Sequence, residues 1–229
     1  MTNSDEADLE ALIARVDPDR WLSSRFIADA KARADVIAIY AFDYEVSRAP
    51  RVASNPLMGE IRLTWWREVL DEIFAARAVR QHPTAQALAG VILRRGLPRP
   101  PLEALINARY RELDPAPMSL EEALDWAAET GGSAAGLCAQ ILDPQSDTLK
   151  AQAGGKAWSI GMLMGTAGLT GVEAHQALLA GLTQSRGLAV EAFPAIAHAT
   201  LARQRARGRR SSPLSTRLRI TWAALRGRV

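Results

Sequence analysis

Apolar residues recur at helical spacing along almost the whole chain, and no segment shows the sustained alternation that is typical of a strand. Prolines and glycines separate these apolar stretches into segments of helix length. The pattern predicts helices over residues 9–16, 21–46 with a break near Asp29, 56–73, 82–95, 102–113, 119–142, 148–168, 172–185, 194–207 and 213–226.

Several helix ends carry a specific signal. Pro56 suits the first position of a helix, and Gly96 suits the left-handed position after a helix end. Ser119 followed three residues later by Glu122 predicts a capping box. In the stretch "AIYAFDYEVSRAP", residues 38–50, we expect Pro50 to unwind the last turn of an otherwise apolar helix.

The composition is that of one globular domain. The 229 residues are 48% hydrophobic and 23% charged, and no repeat or long polar linker divides them. We therefore predict a single all-α domain over residues 1–229. The lone Cys138 excludes an internal disulfide bond and fits a reducing compartment. Residues 157–172 are too short an apolar run to span a bilayer, which favours a buried helix.

The ends of the chain differ in charge. The first sixteen residues are acidic and polar, unlike a signal peptide, which predicts a cytoplasmic protein. The segment from Arg203 to Arg228 is rich in arginine and contains no acidic residue, although the net charge of the chain is only +3. Such a segment predicts peripheral contact with an anionic membrane. Binding to nucleic acid is disfavoured because no motif for it accompanies the arginines.

The acidic residues offer one candidate metal site. Glu121, Asp125 and Glu129 fall at i, i+4 and i+8 on one helix face, where carboxylates could hold Mg²⁺. A solvated face opposite the apolar positions explains the same row, and we favour it. His82, His175 and His198 lie too far apart in sequence to have metal-ligand spacing.

The segment "AWSIGMLMGTAGL" carries Gly161, Gly165 and Gly168 three or four residues apart. This spacing lets a neighbouring helix or a flat apolar ligand approach the backbone closely. Close helix packing is the simpler interpretation.

Long stretches of the chain resemble the squalene/phytoene synthase family. They include "SSRFIADAKARADVIAIYAFDYEVSRAPR", "GEIRLTWWREVLDEIFAARAVRQHPTAQAL" and "AGGKAWSIGMLMG", in the order and with the spacing of the family motifs. The resemblance covers residues 18 to 210, and it implies an isoprenoid-synthase-like helical bundle around a central cavity.

The resemblance also implies where catalysis should lie. In catalytic members, two aspartate-rich motifs bind the Mg²⁺ that holds the prenyl diphosphates. Ser47, Arg48 and Arg51 occupy the aspartate positions of the first motif here. In the second motif, Ser159 and Met162 stand where the family has Gln and Asn, and Gly165-Thr166 replaces Arg-Asp. The chain is more similar to the branch that resembles the mitochondrial complex I assembly factor.

These departures predict a catalytically silent member that needs no cofactor and binds an apolar isoprenoid-like ligand or a partner protein in assembly. The alternative is a Mg²⁺-dependent head-to-head prenyltransferase, with Glu45, Glu121 and Asp125 as substitute ligands. A third hypothesis is a membrane-surface adaptor that uses the arginine-rich end.

The resemblance implies a set of ligand-binding residues. We expect the central cavity to be lined by the helices that hold Tyr40, Phe42, Trp158 and Met162. The family positions near the diphosphate end of the substrate are Ser24, Arg25 and Phe26, and Arg48 and Arg51 could complete an anion site with them. The alternative is that Arg48 and Arg51 point into water at a helix end.

Overall fold

A computed structural model describes residues 3–53, 55–166, 168–209 and 212–229. These residues form helices and connecting turns without any strand, so the predicted all-α fold is confirmed. The α-helices are α1 Asn3–Val16, α2 Pro18–Ser24, α3 Ala30–Arg51, α4 Pro56–Phe74, α5 Pro83–Arg95, α6 Arg99–Tyr110, α7 Leu120–Ala127, α8 Ser133–Leu142, α9 Thr148–Thr166, α10 Val172–Gln184, α11 Ala202–Arg205 and α12 Pro213–Arg226.

Helix α3 is the centre of the N-terminal part of the fold. It packs against α1, α4, α5, α6 and α8, and every residue from Val36 to Asp43 is buried. A helix that is apolar on all sides is stable only when neighbours surround it. Asp29 begins α3 as its N-cap, and its side chain accepts a hydrogen bond from the Lys31 amide at 2.8 Å. The predicted break near Asp29 is therefore confirmed.

The prediction that Pro50 ends α3 is wrong. The helix continues to Arg51, and the Val52 amide donates to the Arg48 carbonyl at 3.0 Å. Pro50 removes one backbone donor and crowds the carbonyl of Val46, but few residues of the helix follow it, so little regular structure is lost. The last turn of α3 is anchored through the buried side chains of Val46 and Ala49.

The predicted helix over residues 119–142 is interrupted by a π-helical turn at Ala128–Gly132, between α7 and α8. This turn lies against α9 at two glycines. A Cβ added to Gly155 would lie 2.0 Å from the Gly131 carbonyl oxygen, and one added to Gly131 would lie 2.4 Å from the Gly155 carbonyl oxygen. The two backbones are therefore in direct contact, which a side chain at either position would prevent.

The other end of α9 packs against α11 in the same way. A Cβ on Gly161 would lie 2.6 Å from the Ala202 carbonyl oxygen, and one on Gly165 would lie 2.1 Å from that of Arg205. Close helix packing is thus confirmed for these two glycines. Gly168 differs, because it has a positive φ of 72° and open space where a Cβ would stand.

Only part of the predicted helix over residues 194–207 is α-helical. Phe193–Ala195 and Ala197–Leu201 are 3₁₀ turns, followed by the short α11. The tighter turns place Ile196 against Gly154 and His198 against Trp158. Tertiary packing has overridden the α-helical periodicity in this segment.

The local end signals are confirmed at the predicted residues. Pro56 is the first residue of α4, Gly96 follows α5 with a φ of 60°, and Ser119 and Glu122 form both hydrogen bonds of a capping box. Cys138 is fully buried, as expected. In the parts of the chain that the structure describes, no helix is both long and apolar enough to cross a bilayer.

Candidate functional site

The most concentrated polar chemistry inside the protein surrounds Asp43 on α3. Its two carboxylate oxygens accept hydrogen bonds from Arg20 of α2 at 2.5 Å and from Arg109 of α6 at 2.7 Å. All three side chains are buried. Because a buried carboxylate is costly unless it is paired, these two arginines account for an aspartate in an otherwise apolar helix.

The network continues toward the π-helical turn. Arg109 also donates to Glu112 at 2.6 Å, and Glu112 accepts a second hydrogen bond, at 3.0 Å, from the indole N–H of Trp126. The Arg109 guanidinium lies 5.1 Å from the centroid of the Trp126 ring. On the other side, Arg20 approaches Asp17 at 3.6 Å. These hydrogen bonds and ion pairs therefore connect α2, α3, α6 and α7 through the interior.

The electrostatics of this network favour its charged form. Burial raises the pKa of Asp43, but the nearby guanidinium groups of Arg109 and Arg20 outweigh burial and lower that pKa to about 2. Burial also raises the pKa of Asp17, against the opposing charge of Arg20. Among the described residues, the Arg109 Nε has no hydrogen-bond partner. Asp43 is thus an anion at neutral pH, and both of its oxygens are occupied.

A cluster of aromatic rings lies beside these charges. The His198 ring stands edge-on to Tyr40, with centroids 6.5 Å apart, and to Trp158, with centroids 5.2 Å apart. Its Nδ1 lies 3.4 Å from the Ser23 hydroxyl oxygen. Burial and the charge of Arg20 lower the pKa of His198 well below its ordinary value, so the ring is neutral. Burial raises the pKa of Tyr40, and that of Cys138 to about 12.

The side chains predicted to line a cavity lie in this packed interior. Phe42 is fully buried, with its ring 5.3 Å from that of Trp66, and Tyr40 and Trp158 are 2% and 5% exposed. Met162 is half-buried against the core. Tyr40 and Trp158 meet through His198, whereas Phe42 faces α4. The structure brings two of these four residues together, and their role in binding a ligand stays a prediction.

The residues predicted to lie near the diphosphate end of a substrate are at the end of α2 and just after it. The Ser24 hydroxyl is buried and donates to the Trp21 carbonyl at 2.7 Å. Arg25 is exposed, is paired with Glu10, and lies 5.8 Å from the Trp21 ring centroid. Phe26 is half-buried against the core. Each group has an intramolecular partner.

The two arginines at the end of α3 point away from the interior. Arg48 is exposed, pairs with Glu45 at 3.2 Å, and lies 5.6 Å from the Tyr44 ring centroid. Arg51 is exposed as well. Ser47 is buried, and its hydroxyl donates to the Tyr44 carbonyl at 2.7 Å. Among the described residues, no hydrogen bond, ion pair or ring contact joins Ser47, Arg48 or Arg51 to Ser24, Arg25 or Phe26.

The acidic row on α7 faces solvent. Glu121, Asp125 and Glu129 are all exposed, and burial together with the charge of Asp125 raises the pKa of Glu129. Glu129 belongs to the π-helical turn that follows α7. Across the described ranges, no group of three or more His, Cys, Asp or Glu side chains is arranged to hold a metal ion.

The sequence did not predict the hydrogen-bond network around Asp43 or the position of His198 between Tyr40 and Trp158. The available signal was a charged residue among apolar neighbours: Asp43 stands between Phe42 and Tyr44. A buried charge of this kind predicts a buried partner of opposite sign. The sequence does not say which of the many arginines supplies it.

The chain is similar in sequence to complex I assembly factor 6, named in full NADH dehydrogenase (ubiquinone) complex I, assembly factor 6. It is 28% identical to the Bos taurus protein and 26% identical to the Homo sapiens protein, in each case over 132 residues. The aligned part is 57% of this chain and only 39% of either relative, so the chain matches well under half the length of the curated relatives.

Two solved structures share the fold. A dehydrosqualene synthase in complex with ligand superposes with a TM-score of 0.71 at 13% identity, over 98% of this chain and 97% of that one. A squalene synthase from Alicyclobacillus acidocaldarius gives a TM-score of 0.62 at 17% identity, over 98% and 94%. The sequence model described as squalene/phytoene synthase matches residues 13–170, more than half of the chain. The chain therefore belongs to the squalene/phytoene synthase family.

Proposed function

We propose that this family member does not turn over prenyl diphosphates and instead acts as a binding protein in the assembly of a larger complex. The observation that carries the proposal is how the charged side chains of α3, the helix that resembles the first catalytic motif, are paired or exposed. Its buried carboxylate, Asp43, is held on both oxygens by Arg20 and Arg109. The last turns of the same helix present Arg48 and Arg51 to solvent.

The residues at the motif positions do not fit Mg²⁺. A magnesium site needs oxygen ligands, usually carboxylates, with free lone pairs. At the first motif the Ser47 hydroxyl donates to a backbone carbonyl, and Arg48 is itself a cation. Two guanidinium groups on the same turn would repel a divalent ion unless carboxylates lay between them.

The residues at the second motif do not fit Mg²⁺ either. Ser159 is buried, and its Oγ lies 2.2 Å from where a Gly131 Cβ would stand, so it faces the backbone of the π-helical turn. The Thr166 hydroxyl donates to the Met162 carbonyl at 2.7 Å. Ser159 thus packs against the neighbouring turn and Thr166 bonds within its own helix, and neither contributes a carboxylate.

The packing of the interior favours a protein partner over a long apolar ligand. His198 fills the space between Tyr40 and Trp158, and Phe42 is fully buried against Trp66. An isoprenoid chain would have to displace these rings. The sequence similarity to proteins named complex I assembly factor 6 supports a role in assembly.

The decisive test of catalysis is incubation with farnesyl and geranylgeranyl diphosphates in the presence of Mg²⁺, with diphosphate release as the readout. A squalene synthase of the same fold is the positive control. We expect no release above the buffer blank. Release that depends on Mg²⁺ would overturn the proposal in favour of the prenyltransferase alternative. Glu45→Gln, Glu121→Gln and Asp125→Asn would then identify substitute ligands.

The assembly role is tested separately in the host organism. Deletion of the gene should lower the amount of intact complex I on a native gel, and the unchanged gene should restore it. Normal complex I levels in the deletion strain would contradict the assembly role, even if catalysis is absent.

A further inference from the structure

Helix α12 exposes an apolar stripe on one side. Leu214, Leu218, Trp222 and Leu225 follow one another at intervals of four, four and three residues, and are 67%, 61%, 56% and 75% exposed. Ile220 and Ala223, on the opposite side of the helix, are buried. The helix is therefore fixed to the domain by one face, while a second apolar face stays largely exposed among the residues that the structure describes.

Two adjoining clefts lie at the base of this helix, with volumes of about 500 Å³ and about 510 Å³. They share Thr200, Arg219 and Val229, and no acidic side chain lines either of them. The other arginines in their walls are Arg203, Arg207 and Arg209 in the first cleft and Arg226 and Arg228 in the second.

The arginines of the two clefts differ from Arg205, which lies in the same segment. Arg205 is paired with Asp19. Within the described residues, by contrast, no cleft arginine forms an ion pair with a carboxylate. Arg226 lies 4.2 Å from the centroid of the exposed Trp222 ring. The sequence after Glu191 contains no acidic residue. The clefts are thus strongly positive, and they lie next to the apolar stripe.

We infer that this surface, defined by the stripe on α12 and the two arginine-lined clefts, docks on an anionic phospholipid bilayer. Guanidinium groups bind phosphate through paired N–H donors, so the clefts fit lipid headgroups. The leucines and Trp222 fit the boundary between headgroups and acyl chains, where amphipathic helices with Trp, Leu and Arg lie. A nucleic acid would match the arginines but would offer no apolar layer for the leucines.

This inference is independent of the proposed function, because none of its residues belongs to α3. It assigns particular residues to the membrane contact that the arginine-rich sequence predicts only in general terms. The protein would lie on the bilayer with α12 parallel to the surface, held by apolar burial and by attraction to anionic lipid.

Vesicle flotation tests the docking. The full chain is mixed with phosphatidylcholine vesicles, or with vesicles that contain about 30% phosphatidylglycerol as the anionic lipid. We expect the protein to float only with the anionic vesicles and to be released by salt. Arg219→Gln, at the wall that both clefts share, should lower the partition constant about fivefold. Leu218→Ser should lower it about tenfold through the lost apolar contact.

Two matched control variants distinguish the effect of this particular surface from a general effect of losing one positive charge or one apolar side chain. Arg62→Gln removes an exposed arginine from α4, and Leu93→Ser removes an exposed leucine from α5. Both should leave the partition constant unchanged. Circular dichroism and thermal unfolding confirm that each variant is folded.

The orientation of α12 has a direct readout. Trp222 is exposed, whereas the other tryptophans are buried or half-buried. Phosphatidylglycerol vesicles with brominated acyl chains should quench its fluorescence, and Trp222→Phe should abolish the quenching. Binding without such quenching would overturn the inference.

Other outcomes would also overturn it. Equal flotation with neutral vesicles, or equal effects of the control substitutions, would show that the surface is not specific. Absence of vesicle binding, together with binding of polyglutamate or of duplex DNA that Arg219→Gln weakens, would reassign the surface to a macromolecule. Pyrophosphate that binds Leu218→Ser as tightly as the unchanged protein, without vesicle binding, would make the clefts a site for a soluble anion.

Discussion

Arg109 and Asp43 form a buried ion pair at 2.7 Å, although 66 positions separate them in the sequence. Arg20 reaches the other oxygen of the same carboxylate from α2. One aspartate therefore ties α3 to both α2 and α6 inside the core. Both oxygens of this carboxylate therefore accept hydrogen bonds from internal cations.

Replacing Asp43 by Asn should strongly destabilise the protein. The substitution keeps the shape of the side chain but leaves Arg20 and Arg109 buried with too little negative charge. Loss of one partner of a buried pair costs about 3 to 5 kcal/mol. Urea denaturation followed by circular dichroism measures the change. Asp71→Asn is the control, since its pair with Arg99 is solvent-exposed and should be worth less than about 1 kcal/mol. Similar losses in both variants would contradict the prediction.

Stability should fall as the pH drops below about 6.5 because of His198. Burial and the charge of Arg20 lower its pKa in the folded state, so below pH 6.5 the unfolded chain binds a proton that the folded protein does not. The contribution is fully present at neutral pH and is lost toward acid, with a slope of up to about 1.4 kcal/mol per pH unit.

Urea denaturation between pH 7 and pH 5 checks the role of His198. His198→Gln should flatten the pH dependence in this interval. The exposed His175 provides the control, and His175→Gln should leave the slope as it is. An unchanged slope in the His198 variant would show that another group is responsible.

Gly155→Ala should separate α9 from the π-helical turn. The added Cβ would lie 2.0 Å from the Gly131 carbonyl oxygen and 2.6 Å from the Ala135 Cβ, neither of which can move alone. Overpacking of this kind costs about 1 to 3 kcal/mol, even though alanine is the better helix former. Gly136→Ala is the matched control, because its nearest neighbour is the flexible Gln152 side chain at 3.0 Å. Thermal unfolding should show a clear loss for the first variant and little change for the second.

Arg48 and Arg51 should not form a diphosphate site. Arg48 is already paired with Glu45 on its own helix, and both arginines are exposed. Calorimetric titration with farnesyl diphosphate in the absence of Mg²⁺ should give equally weak binding for the unchanged protein and for the Arg48→Ala, Arg51→Ala double variant. A loss of about 1.5 kcal/mol or more, the size of a charge-assisted hydrogen bond, would establish an anion site there.

The helices and many of their ends could be predicted from the sequence because their signals are local. The break near Asp29, the Ser119–Glu122 capping box and the Gly96 end each depend on atoms within one helical turn. The behaviour of Pro50 could not be predicted in this way. Whether its last turn survives depends on the burial of Val46 and Ala49 by neighbouring helices.

The sequence by itself determined that the chain is all-α and that it belongs with the squalene/phytoene synthases. Only the tertiary structure decided that Asp43 is neutralised by Arg20 and Arg109, and that α12 keeps an apolar face in solvent. The physical reason is the range of the interactions. Helical periodicity and capping act over three or four residues, whereas the partner of a buried charge is set by how distant helices cross.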